Sequence, residues 1–158
     1  MKAPIMHLLI AFVWLFLSGN TSLGGFFSGL IAGFLLLALF QRALETQDYV
    51  RRVVAFGRFT LLFLREVVVS NIRIARLALY PKVGSIRGEF MAYNVEDLTK
   101  LEILLLCYCV SLTPGTTVAG KSADERSIVL HAFASGTPEE ISEHIDQTLR
   151  KYILAFTR

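Results

Sequence analysis

The sequence predicts a membrane α-helical hairpin plus a basic amphipathic helix, followed by a small α+β domain of β-α-β-β-α order with a ferredoxin-like arrangement. Residues 3–41 contain no Asp, Glu, Lys or Arg, and eight Lys or Arg then follow within 42–82. Residues 83–158 alternate short apolar runs with turn signals. Because 54% of the chain is hydrophobic and only 18% is charged, against about 25% in soluble domains, we expect part of it to lie in lipid.

Residues 1–41 are predicted to form the hairpin. The polar cluster at 18–21 divides the uncharged segment into Ala3–Leu17 and Ser22–Gln41, and the second part contains an apolar stretch, Leu23–Phe40. As a helix the second stretch is about 27 Å long, close to the hydrocarbon thickness of about 30 Å. The shorter first stretch has the alternative interpretation of a secretory signal, which its single basic residue and the lack of a clean cleavage site disfavour.

Small residues recur at four-residue spacing in the second stretch, at Gly25, Gly29 and Gly33. Such a stripe allows another helix to approach closely, so we expect packing against the first helix, against another subunit, or against both. His7 lies near the start of the first stretch. A titratable group inside a membrane suggests a proton relay, but this position favours an imidazole at the membrane interface.

Residues 42–82 are predicted to form a basic amphipathic helix at the membrane interface. On a helical wheel one stripe carries Arg51, Arg58, Arg65 and Arg76, which we expect to contact lipid headgroups or a partner surface. A third span would place basic residues on both sides of the membrane, against the positive-inside bias. A third span sheltered by partner helices remains the alternative for residues 53–80, whereas two spans leave the N-terminus and the C-terminal domain cytoplasmic.

Residues 83–158 are predicted to form the α+β domain, beginning after Pro81 ends the long helix. The predicted order is a strand at Ile86–Tyr93, a helix with Asn94 as N-cap, and two strands at Thr116–Ala119 and Ile128–Phe133. We expect the first helix to turn one apolar stripe inward, consisting of Leu98, Leu101, Leu105 and Tyr108. A domain of this size has a marginal core, so we expect it to dock on the basic helix or on a partner.

The last helix of this domain has a strong start signal, Thr137-Pro138-Glu139-Glu140, which combines an N-cap, a proline at the first helical position and a capping-box glutamate. Its predicted core stripe consists of Ile141, Ile145, Leu149, Tyr152, Ile153 and Phe156. Four acidic residues occupy its first turns, where the helix dipole favours negative charge. We therefore assign them a structural and solvated role.

The sequence offers few groups for chemistry, and we predict no catalytic, cofactor-binding or metal-binding residues. Cys107 and Cys109 form a C-x-C pair, which fits neither a C-x-x-C redox motif nor a paired zinc site. The three histidines, His7, His131 and His144, are far apart in the sequence. We therefore predict that the chain is not an enzyme, and the acidic balance of residues 83–158 predicts no nucleic-acid partner.

The most distinctive motif is Ser111-Leu112-Thr113-Pro114-Gly115-Thr116. It predicts a helix end turned sharply into a strand, because Pro114 stops the helix, Gly115 can take positive φ, and the hydroxyls can bind free backbone groups. Placed after an uncharged hairpin and a basic segment, this motif resembles that of the E subunit of the multisubunit Na+/H+ antiporter (Mrp/Mnh/Pha) family, and the resemblance covers essentially the whole chain.

The resemblance implies an accessory subunit of a complex in the bacterial inner membrane, needed for assembly or activity, while large subunits carry ion translocation. It implies other membrane subunits and membrane lipids as partners. Because residues 3–41 carry no charged side chain, we expect no complete ion path in this chain. The competing hypothesis is a membrane-tethered adaptor or regulatory module whose cytoplasmic domain binds a cytosolic partner.

Overall fold

A computed structural model of the chain describes residues 2–79, 88–123, 125–133 and 137–158. Its elements are α1 (Lys2–Leu17), α2 (Leu23–Leu39), α3 (Gln47–Leu79), β1 (Gly88–Asn94), α4 (Lys100–Leu112), β2 (Thr116–Lys121), β3 (Ser127–Phe133), α5 (Pro138–Ile145), a π-helical turn (Asp146–Arg150) and α6 (Lys151–Thr157). They form two compact units, Met1–Val54 and Ala55–Arg158. The predicted three-part division at 1–41, 42–82 and 83–158 stays a prediction.

The first unit contains two apolar helices, α1 and α2, which are joined by a short polar turn, and the beginning of α3. The Ser22 side chain caps α2 by accepting a hydrogen bond from the Gly25 N–H. Ala11 and Leu37 are fully buried between elements of this unit, whereas most of its large apolar side chains are exposed. No helix in the described part of the chain has both the length and the apolarity that crossing a membrane requires.

A three-stranded antiparallel sheet organises the second unit, with strand order β1-β3-β2. Met91 pairs with Leu130 and Tyr93 with Ile128, and these four side chains are buried on one face of the sheet. The predicted β-α-β-β-α order is thus confirmed for the α+β part, although Ile86 and Pro81 lie outside the described residues. The ferredoxin-like arrangement stays a prediction.

Helix α4 begins later than predicted, and Asn94 is not its N-cap. Asn94 is the last residue of β1, and its Oδ1 accepts a hydrogen bond from the Glu96 N–H. The cap is Thr99, which forms a reciprocal capping box with Glu102. With this start, the helix buries Leu106 and Val110 in the core.

The predicted core stripe of α4 is therefore wrong in two positions. Leu101 is 59% exposed and Tyr108 is 61% exposed, whereas Leu98 and Leu105 pack against the core as predicted. Leu101 and Tyr108, together with Leu104 and Leu112, give α4 an exposed apolar face. Such a face is typical of a protein that packs against a partner.

The last helix begins at the predicted capping box, in which Thr137 and Glu140 bind each other's backbone N–H. It continues through the π-helical turn into α6 and buries Ile145, Leu149 and Ile153 against the sheet core. Arg150, on the π-helical turn, hydrogen-bonds the Asn94 carbonyl oxygen at 3.2 Å. The turn thereby joins the last helix to the end of β1.

Helix α3 completes the core of the second unit with aromatic side chains. The Phe59 ring lies 5.2 Å from that of Phe156 and stacks on Phe63 at 5.9 Å. Burying a side chain of this size stabilises a fold by about 1.5–3 kcal/mol. The basic helix therefore supports the small α+β domain, as its marginal core size led us to expect.

A buried carboxylate fastens α4 to the end of α6. Glu102 is 2% exposed, and its Oε1 accepts hydrogen bonds from Thr157 Oγ1 at 2.7 Å and from Arg158 Nε at 3.1 Å. The Arg158 guanidinium lowers the pKa of Glu102 to about 2 from its ordinary value of 4.5. Because the folded state prefers the ionised form, its stabilisation is present above pH 4.5 and is lost as the pH falls towards 2.

We expect Glu102→Gln to lower the free energy of unfolding at pH 7 by about 1–3 kcal/mol, because buried donors then lose a charged acceptor. The variant should also lose less stability than the wild type as the pH falls from 4.5 to about 2, the range between the ordinary and the lowered pKa of Glu102. Urea unfolding followed by circular dichroism across this pH range measures both effects. Glu96→Gln, in an exposed ion pair with Arg126, is the matched control and should behave like the wild type. An identical acid transition in the Glu102 variant would contradict the assignment.

Candidate functional site

The motif turn, Ser111–Thr116, closes the end of α4 with its own hydroxyl groups. Thr113 Oγ1 donates to the Cys109 carbonyl oxygen at 2.8 Å, and Thr116 Oγ1 donates to that of Val110 at 3.0 Å. Carbonyl groups at a helix C-terminus have no partner within the helix, so these bonds satisfy them. Gly115 has φ +104°, the positive φ that its position was predicted to need.

The same turn is tied to the sheet. The Phe133 N–H donates to the Gly115 carbonyl oxygen at 2.7 Å, and the Val118 N–H lies 3.5 Å from Ser111 Oγ. Leu112 is 61% exposed, and Pro114 occupies the centre of the turn. The motif therefore fixes the angle between α4 and β2 and keeps one apolar side chain on the surface.

One wall of a cavity of about 660 Å³ is formed by the motif turn. The other walls come from α3 and α5, and we call this space the motif cavity. It is lined by Glu66, Ser70, Arg73, Ile74, Arg76, Leu77, Val110, Thr113, Pro114, Gly115, Thr116, Phe133, Glu140, Ile141, His144, Ile145, Thr148 and Leu149. Its volume lies within the range of about 300–1,000 Å³ that is typical of small-molecule sites.

The motif cavity contains a carboxylate–imidazole pair that the sequence did not reveal. Glu66 is 7% exposed, and its Oε1 lies 3.0 Å from His144 Nε2. A carboxylate can only accept, so this imidazole nitrogen carries the proton. Beside the pair, buried Ser70 donates its hydroxyl to the Glu66 carbonyl oxygen at 2.7 Å. No local pattern links Glu66 and His144, because 78 residues separate them.

The predicted basic stripe lies on the surface of α3, where Arg51, Arg58, Arg65 and Arg76 are all exposed. Arg51 has an acidic neighbour, Asp48, at 3.5 Å. Next to this stripe, and opposite the side chains that α3 buries, is a row of exposed apolar residues: Leu61, Leu64, Val68, Ile72 and Leu79. Contact of this face with lipid or a partner stays a prediction.

The three predicted packing glycines have different neighbours in the first unit. A Cβ atom at Gly29 would lie 2.8 Å from the Ala11 carbonyl oxygen of α1, and one at Gly33 would lie 3.0 Å from His7 Cδ2. A Cβ at Gly25 would instead overlap the Asn20 carbonyl oxygen of the turn. The structure thus brings two of the three against α1, and their role in helix association stays a prediction.

His7 links three helices of the first unit, a role that sequence reasoning missed. Its Nε2 lies 2.7 Å from the Leu30 carbonyl oxygen of α2, and its Nδ1 lies 2.6 Å from the Tyr49 hydroxyl of α3. Since a carbonyl only accepts, Nε2 carries a proton, and in the neutral ring Nδ1 accepts from Tyr49. His7 and Tyr49 are 42 residues apart, so no local sequence pattern predicts their contact.

The two cysteines are free thiols on α4, with Cys109 buried. Burial raises the pKa of the Cys109 thiol to about 11, so it is protonated at neutral pH and a poor nucleophile. Within the ranges that the structure describes, no three His, Cys, Asp or Glu residues lie close enough to hold a metal ion.

Two solved chains, each from a membrane complex, have a fold similar to that of this chain. One chain of the membrane-bound sulfane sulfur reductase, an archaeal respiratory membrane complex, matches at a TM-score of 0.55 and 20% identity, over 96% of each chain. A chain of the Mrp complex from Dietzia sp. DQ12-45-1b matches at a TM-score of 0.50 and 21% identity, over 65% of this chain and 96% of that one.

Sequence comparison identifies the family. Residues 7–156 match the family model described as Na+/H+ ion antiporter subunit. The chain is 33% identical over 149 residues to the E1 subunit of the Na(+)/H(+) antiporter of Staphylococcus haemolyticus (strain JCSC1435), covering 94% of this chain and 93% of that protein. It is 30% identical over 154 residues to the E subunit of the Na(+)/H(+) antiporter of Bacillus subtilis (strain 168), covering 98% and 97%. The chain therefore belongs to the family of Na+/H+ antiporter E subunits, and the predicted resemblance is confirmed.

We expect Gly29→Leu to destabilise the first unit by about 1–3 kcal/mol, because the new side chain overlaps the backbone of α1. Thermal unfolding in a mild detergent measures this change. Gly24→Leu is the matched control on the same helix, since a Cβ there meets only Ser22 Oγ at 3.6 Å. Equal stability of the two variants would show that Gly29 is not a packing position.

We expect Gly115→Ala to destabilise the second unit by about 1–2 kcal/mol, because an L side chain is strained at positive φ. Urea unfolding followed by circular dichroism measures the loss. Gly120→Ala provides the control, because Gly120 also lies beside the motif turn in sequence but has open space around its Cα. A similar free energy of unfolding for both variants would argue against a required positive φ in the turn.

Proposed function

We propose that this chain is an accessory subunit of a multisubunit Na+/H+ antiporter complex, which supports assembly and ion transport without a complete ion path of its own. The observation that carries this proposal is the outward face of α1 and α2. It consists of large exposed apolar side chains, including Ile5, Leu9, Phe16, Leu17, Phe27, Ile31, Leu35 and Leu39. Only lipid or the apolar helices of other subunits would cover such a surface.

In this proposal the helix pair crosses the bacterial inner membrane as a hairpin. Its helices have 16 and 17 residues, fewer than the roughly 20 that span a bilayer without help. Local thinning of the bilayer or packing against partner helices accommodates such a mismatch. The basic residues from Arg42 onwards then lie with Lys2 on the cytoplasmic side, together with the C-terminal domain.

The absence of an ion path follows from the side chains available in the hairpin. Within residues 3–41 the only ionisable side chain is His7. Both of its ring nitrogens have hydrogen-bond partners, Leu30 and Tyr49, so it serves as a brace between helices. Exchange of a cation for protons needs a chain of carboxylates or other polar groups through the membrane, which neighbouring subunits would supply.

The α+β domain would then hold these neighbours on the cytoplasmic side. The strand order β1-β3-β2 of the described residues supports a ferredoxin-like split βαβ arrangement with three of its four strands. Two exposed apolar faces, one on α3 and one on α4, offer surfaces for other membrane subunits or for the lipid surface. The basic stripe of α3 borders the first of these faces.

Affinity purification of the tagged full chain from its native membranes, in a mild detergent, tests the proposal. We expect several very hydrophobic subunits to co-purify, because they cover the outward face of the hairpin. Recovery of a pure monomer under conditions that preserve other membrane complexes would contradict the proposal.

Growth in high Na+ distinguishes the scaffold hypothesis from the hypothesis of a membrane-tethered adaptor. Deleting residues 83–158 should abolish Na+ tolerance if the chain is a scaffold, and should leave tolerance unchanged if it is an adaptor. A variant with Lys121→Ala, at the exposed end of β2, is the control for expression and should grow like the wild type.

A further inference from the structure

We propose that the motif cavity binds one acyl chain of an anionic lipid and that Arg73 and Arg76 pair with the phosphate of its headgroup. The proposal rests on the proposed function in one respect only, namely that the chain resides at a membrane. It assigns a ligand to a cavity within the second unit, bounded by α3, the motif turn and α5.

Part of the lining of the motif cavity is suited to hydrocarbon. This part consists of the side chains of Ile74, Leu77, Val110, Pro114, Ile141 and Leu149. The three threonine hydroxyls of the lining are already used, since Thr113, Thr116 and Thr148 each donate to a backbone carbonyl oxygen. A ligand in this part of the cavity therefore meets mainly apolar atoms, and the burial of apolar surface favours its binding.

Two arginines of the cavity lining, Arg73 and Arg76, lie one turn apart on α3. Both are exposed, and neither has an ion-pair or hydrogen-bond partner among the described residues. By contrast, Arg150 of the same unit has the acidic partners Asp97 and Asp146. Guanidinium groups bind phosphate through paired, charge-assisted hydrogen bonds, so this part of the lining is suited to a phosphate-bearing headgroup.

The acidic groups of the lining do not oppose this assignment. Glu66 lies about 10 Å from Arg73 along α3 and is bound by the His144 ring. The Glu140 carboxylate accepts the Thr137 N–H as part of the capping box of α5. Both carboxylates thus have partners within the protein, whereas the two arginines of the lining have none among the described residues.

Native mass spectrometry of the purified full chain, released from detergent after titration with lipid, tests the proposal. The probes are phosphatidylglycerol and phosphatidylcholine with identical oleoyl chains. We expect the wild type to retain one phosphatidylglycerol at about tenfold lower added lipid than phosphatidylcholine. Both lipids carry a phosphate, but the choline cation of phosphatidylcholine offsets the negative charge that the two guanidinium groups attract.

Variants inside and outside the cavity locate the site. The double variant R73Q/R76Q should lose this tenfold preference while still retaining phosphatidylcholine. Its matched control, R58Q/R65Q, removes the same charge from the same helix outside the cavity and should keep the preference. Leu77→Trp fills the cavity and should reduce retention of both lipids, and Ile74→Phe serves the same purpose if circular dichroism shows that Leu77→Trp is misfolded.

Equal retention of the two lipids by the wild type would overturn the proposal. So would an equal loss in R58Q/R65Q, which would indicate attraction by net charge alone. Unchanged lipid retention in folded Leu77→Trp, combined with loss of a co-purifying subunit, would assign the cavity to a partner helix. Lipid retention is measured on the isolated chain. A negative result in this experiment is therefore distinguishable from a negative result in the co-purification of other subunits.

Discussion

The second unit depends on the packing of α3 against α6, because a sheet of three strands is too small to bury a core by itself. Phe59 of α3 belongs to the core and lies beside Phe156 of α6. This contact sets which side of α3 is buried. The opposite side, with its exposed apolar row next to the arginine stripe, is therefore presented outward, and it is the face available to lipid or to other subunits.

Polar groups in both units are used to hold elements together. Glu102 joins α4 to the chain end, and His144 meets Glu66 across α3 and α5. In the first unit His7 connects three helices. No buried side-chain nitrogen or oxygen of the described residues lacks a hydrogen-bond partner. The polar side chains named here thus serve to join helices in a chain that belongs to a family of antiporter subunits.

Local signals in the sequence were sufficient for much of this fold. The polar turn after Leu17, the alternation in β3 and the capping box at Thr137 each predicted a boundary within about one residue, because these signals act over one or two turns of backbone. The prediction of Asn94 as the N-cap was wrong because pairing with β3 extends β1 through that residue, and Thr99 caps α4 instead. The motif cavity and its Glu66–His144 pair could not be predicted, since they arise only when α3 and α5 pack together.

The sheet order leaves one edge of β1 and one edge of β2 without a strand partner. Within the described residues β1 and β2 each pair with β3 alone. Strand edges are templates for intermolecular pairing, and Phe90 on β1 is 69% exposed beside one of them. A partner that covers these edges would therefore also keep copies of this chain from pairing with one another.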